Sequence, residues 1–90
     1  MATTNPSVTA SWAKIVDDGD EFLLTLPWAT NTSIEVATKD TDEAPTVQGH
    51  VLRGERADSM NRSLIGPGYV FARVVGSGSL AVVINAWTPS

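Results

Sequence analysis

Between Ser11 and Trp87 the chain alternates short apolar runs, many of them β-branched, with clusters of glycine, proline, aspartate, asparagine and serine. Turn signals recur at roughly 8–12 residues, the grammar of an antiparallel sandwich or barrel, and no helical spacing is sustained against it. The pattern predicts about seven strands. Ser11–Asp17 and Glu21–Leu26 flank Asp18-Gly19, which suits a tight hairpin turn. On the second of these, a period of two sends Phe22, Leu24 and Leu26 to one face, which must be the inner one. Pro27 ends it. Ile34–Thr38 follows, with Ile34 and Val36 inward, then a charged loop over Lys39–Pro45 and a strand over Thr46–Arg53. Residues 54–59 form a polar connection, Met60–Ile65 a modest strand, and Gly66-Pro67-Gly68 a sharp turn. Tyr69–Val75 and Leu80–Trp87, separated by Gly76-Ser77-Gly78-Ser79, predict a hairpin of two long strands at the centre of a sheet.

Residues 1–10 are polar and without period, and read as an extended N-terminal arm outside the core, leaving residues 11–90 as a single β-sandwich or jelly-roll-like domain. A chain of 90 residues has no room for a second domain. With no cysteine it has no disulfide, thiolate metal site or thiol nucleophile, so its support is its core or its partners. The longest apolar run, Leu80–Ile84, is far short of a membrane helix, and no membrane partner is expected.

Charge divides along the chain. Residues 1–45 hold eight of the acids against Lys14 and Lys39, whereas Arg53, Arg56, Arg62 and Arg73 all lie in the second half. A pI near 4.6 argues against nucleic acid, whose phosphates are bound by clustered cations. Arg53, Arg56 and Arg62 are candidate partner-binding residues, placed to meet the acids of residues 17–21 or 40–43 on a neighbouring copy, although solvated surface charge explains them too. Apolar residues on the other strand faces, notably Leu23, Ala37, Phe71 and Val83, need cover. A homo-oligomer is expected on that ground, with a trimer favoured.

Candidate chemistry is sparse. Gly76-Ser77-Gly78-Ser79-Leu80-Ala81 spells a dinucleotide fingerprint, but it leads into Val82-Val83-Ile84, a strand rather than a helix. The acids of 17–21 lack the spacing of a calcium loop, and His50 has no nucleophile elbow to serve. No catalytic residue, metal ligand or cofactor is expected, and the protein reads as a non-enzyme. Trp28, in the loop Pro27–Ser33, either folds back as a lid on the sandwich or anchors a protein or sugar partner. Trp12 and Trp87 fall on strands, as core or subunit contacts.

The order Ile34-Glu35-Val36-Ala37, Ala44-Pro45, Gly49-His50-Val51-Leu52, Gly66-Pro67-Gly68-Tyr69-Val70-Phe71-Ala72-Arg73 and Val82-Val83-Ile84-Asn85-Ala86-Trp87 resembles small bacteriophage virion proteins. The resemblance implies a structural β-sandwich decorating the capsid, or built into a head or tail fibre, made in the host cytoplasm and resident in the virion. The partner it implies is the major capsid protein or another virion protein, with the polar arm helping attachment. A different class of function, a carbohydrate- or receptor-binding module of a tail fibre, would use Trp28, Tyr69 and the Asp/Asn-rich loops as a sugar platform.

Overall fold

The computed structural model describes residues 2–27 and 30–90. Ten strands run in chain order: β1 (Thr3–Thr4), β2 (Ser7–Val8), β3 (Ala13–Val16), β4 (Glu21–Thr25), β5 (Ser33–Lys39), β6 (His50–Arg53), β7 (Ser59–Asn61), β8 (Tyr69–Val74), β9 (Leu80–Ala81) and β10 (Val83–Trp87). All pairing is antiparallel. One four-stranded sheet has the order β1-β10-β4-β7, the other β3-β8-β5-β6, and β2-β9 extends the β1-β10 ladder past a break at Val82. The first sheet is called the front and the second the back.

The core lies between them, built from alternate residues as the period of two requires. Phe22, Leu24 and Leu26 come from the front; Ile34, Val36, Val70, Ala72 and Val74 come from the back. Phe22, Leu24, Leu26, Ile34 and Val36 all point inward as the pattern predicts.

Both expected hairpins are instead arches between sheets. β3 and β4 flank Asp18-Gly19 but belong to opposite sheets, and so do β8 and β10. Apolar alternation and a glycine turn are equally good for either connection, because each strand needs only one inward face. The two long strands do sit inside their sheets, β8 between β3 and β5, and β10 between β1 and β4.

Nor does the N-terminal segment stand outside the core. Thr3 and Thr4 pair with Asn85 and Ile84, Ser7 and Val8 with Ala81 and Leu80, and Val8 is fully buried. The Val74 N–H then donates to the Thr9 carbonyl (2.6 Å), and β3 pairs with β8. One stretch of chain thus passes from the edge of the front sheet to the edge of the back sheet. The opposite side is crossed in the same way by β6, a 3-10 turn at Gly54–Arg56, and β7. A polar segment with a single apolar anchor is enough when its backbone donors and acceptors complete an existing sheet.

Met60–Ile65 is only half strand. Pairing stops at Asn61, whose side-chain oxygen accepts from the Leu64 N–H (3.1 Å) and caps a helical turn, α1 (Arg62–Ile65).

Candidate functional site: the back face and its loop

Along β5 the residues Ile34, Glu35, Val36 and Ala37 are all buried, so this strand is covered on both faces. Its outer cover is the 40–49 loop, which joins β5 to β6. Three contacts hold the loop down. Lys14 Nζ meets Asp42 Oδ2 at 2.8 Å, Pro45 is buried, and the Gly49 N–H donates to Glu35 Oε2 at 3.0 Å. Gly49 is required there because a Cβ would stand 2.7 Å from the Val36 carbonyl oxygen. Beneath the loop, Ala37 and Phe71 face each other across the sheet, each 5% exposed. The cover that Ala37 and Phe71 need therefore comes from their own chain. Leu23, in contrast, is 48% exposed on the front.

Glu35 is the one buried charged residue among the described residues. It pays for burial with two bonds, the Gly49 N–H on Oε2 and Arg73 Nε on Oε1 at 3.2 Å. The Gly49 bond and then the Arg73 charge hold its carboxyl below the usual glutamate range, outweighing desolvation, which acts the other way. Arg73 stacks over the Trp12 ring, 4.4 Å from its centre. Trp12 and Arg73, with Pro45, Thr46, Val47 and Gln48 of the loop, border an open groove of about 450 Å³. A second groove of about 340 Å³ lies on the other flank of Pro45–Val47, beside Lys39 and Asp40.

The arginines expected to bind a partner have other work. Arg62 makes five guanidinium hydrogen bonds, to the carbonyls of Asp17, Asp20, Gly66 and Gly68, and lies over Phe22 (5.3 Å). It clamps the β3–β4 arch to the turn before β8, and none of its donors is left for a neighbouring subunit. Arg53 reaches Glu55 at 3.8 Å and Arg56 reaches Asp58 at 3.2 Å, exposed pairs within one connection. Asp58 also accepts the Arg53 N–H (2.8 Å), which, ahead of Arg56, holds its carboxyl below the usual aspartate range. Trp28 lies outside the described residues. Tyr69, the other ring of the sugar platform, carries Lys14 Nζ 5.4 Å from its centre.

Of the acids in 17–21, Asp17 pairs with Lys14 (2.9 Å) and Asp20 accepts from the Thr88 hydroxyl (2.8 Å). Among the described residues no group of three or more His, Asp or Glu is placed to hold a metal ion. His50 is exposed, opposite Val36 at the start of β6.

The Glu35–Arg73–Trp12 cluster was not singled out by sequence reasoning, although a signal exists. Glu35 is the lone charge in Ile34–Ala37, Arg73 the lone charge in Phe71–Val74, and the two are of opposite sign. Residues directly opposite on paired strands satisfy each other in this way, and Glu35 and Arg73 are in register. Comparison with protein families, curated proteins and solved structures finds no match to this chain.

Proposed function

We propose that this chain is a non-enzymatic structural protein of a bacteriophage virion, decorating the capsid or attached as a head or tail fibre, and working in several copies. The observation that carries the reading is the outer surface of the front sheet. By strand register it presents Thr3, Leu23, Thr25, Val83, Asn85 and Trp87, together with Ser59 and Asn61 of β7. Among the described residues that the register places on this face, the one charge is Glu21, opposite Trp87 at one end. An acidic chain with a flat face of small polar and apolar groups has there a surface that approaches another protein without charge repulsion or costly desolvation of ions. Rigid backing from a laced sandwich suits a building part rather than a moving one.

Neighbouring copies and the major capsid protein are the proposed partners, with three copies the favoured number. Mass spectrometry of purified particles that encode this chain tests the reading. A fixed copy number on the particle is expected, lost on Leu23→Asp while the soluble variant keeps its circular dichroism. Particles lacking the protein altogether, or the same occupancy with Leu23→Asp, would sink it.

A further inference from the structure

We propose that the groove beside Trp12 binds a carboxylate, with Arg73 as its fork, and that the ligand is the free acid end of a peptide segment from another protein. The cation census points to Arg73. Of six lysines and arginines, Lys14, Arg53 and Arg56 meet nearby acids through their ammonium or Nη groups, Arg62 is saturated, and Lys39 is a point charge on a flexible stem beside the other groove, so Arg73 is the cation that keeps a fixed fork of Nη donors. Arg73 spends its Nε on Glu35 and one ring face on Trp12, and its two Nη groups make no hydrogen bond among the described residues. Its side chain is 35% exposed and borders the groove.

A guanidinium fixed along one edge and one face is oriented before any ligand arrives, which lowers the entropy cost of binding. Two parallel N–H donors match the two oxygens of a carboxylate. Glu35 on the far edge leaves the pair neutral overall, so recognition rests on the two Nη donors and their planar fit to a carboxylate rather than on net charge. Trp12, Pro45 and Val47 supply apolar wall for the side chain next to the acid, and Gln48 and Thr46 supply polar groups for its amide. This site is separate from the front face, and its test does not depend on a particle.

Titration of the intact protein with N-acetyl-Gly-Leu, followed through the indole N–H resonance of Trp12, tests the site. A saturating shift with a dissociation constant on the order of 1 mM is expected. The C-terminal amide of the same dipeptide should give no saturating shift. Arg73→Gln should weaken binding at least about fivefold, as loss of a bidentate charged pair requires. Because that variant also strips Glu35 of its partner, Gln48→Glu provides an independent check on an exposed loop position, and should weaken binding by repulsion with the fold intact. Equal response to acid and amide, or unchanged affinity in both variants, would overturn the site. Tighter saturation by glucuronate than by the dipeptide would overturn the peptide assignment in favour of an acidic sugar.

Discussion

The two sheets bury the same kind of inner face and treat their outer faces in opposite ways. On the back, the 40–49 loop is tied down by Lys14–Asp42 and Gly49–Glu35, and β5 is buried through four consecutive residues. On the front, β4 keeps the plain alternation of an open sheet, with Phe22 and Leu24 in and Leu23 out. Apolar residues at outward positions therefore mean different things in the two sheets. Ala37 and Phe71 are satisfied within the chain, while Leu23 stays half exposed. A loop anchored by polar bonds makes the back a finished surface with a groove, whereas among the described residues no such loop covers the front, the face proposed for docking.

Removing the anchor should have the largest effect. Glu35→Ala frees the Gly49 N–H and leaves Arg73 without its partner, and should cost about 2–3 kcal/mol in urea unfolding, discounted from a fully buried pair because Arg73 is part-exposed. A cost as small as that of a surface substitution would mean the loop is held by other contacts. Gly49→Ala should cost about 2 kcal/mol by overpacking against the Val36 backbone, with Glu35 intact. The two sites share one contact, so their double variant should fall short of the sum.

Acid should undo the back before the front. The carboxyls of Glu35 and Asp58 are both lowered on folding, so the stability they contribute is fully present above the ordinary carboxylate range. It is lost as pH falls from about 4.5 through their lowered folded values. Protection of the Gly49 N–H against hydrogen exchange, taken relative to its intrinsic rate at each pH, is expected to fall over that window ahead of protection at Leu24; simultaneous loss would show that the loop and the core unfold together. Lys14 acts in the opposite direction. Its hydrogen bonds to Asp42 and then Asp17 raise it, so its contribution persists through neutral pH and fades only in strong alkali. The smallest effect belongs to the front: Leu23→Asp should change monomer stability by less than about 0.5 kcal/mol. A large loss there would mean the face is part of the core rather than a docking plane.

Much of the strand pattern was readable from the chain. Alternation in Glu21–Leu26 and Ile34–Val36 names the inner residues correctly, because burial on one side is a local property of parity. Partnership is not local. Asp18-Gly19 reads as a hairpin turn although Asp17 and Asp20 offer their carbonyls to Arg62, forty-odd residues away, and the turn joins two sheets. The N-terminal segment failed for a related reason. Its sequence lacks period because only Val8 enters the core, and its role rests on backbone bonds that any residue provides. Arg62 shows the same limit at the candidate site, since nothing about its neighbours in sequence distinguishes a clamp from a free cation.

One feature of the architecture sets the order in which the molecule can form. Thr3 bonds Asn85 across 82 residues, and Val8 lies against Leu80, so the earliest strands are completed only by the last ones. Loops of that length close slowly and at an entropic cost repaid only when both ends are in place. Completion is therefore late: a chain ending before β9 lacks β10 as well, so β4 is left with an open edge and β1 and β2 have no strand to pair with. On a growing chain this pairing is a final latch, closed only when the last strands exist.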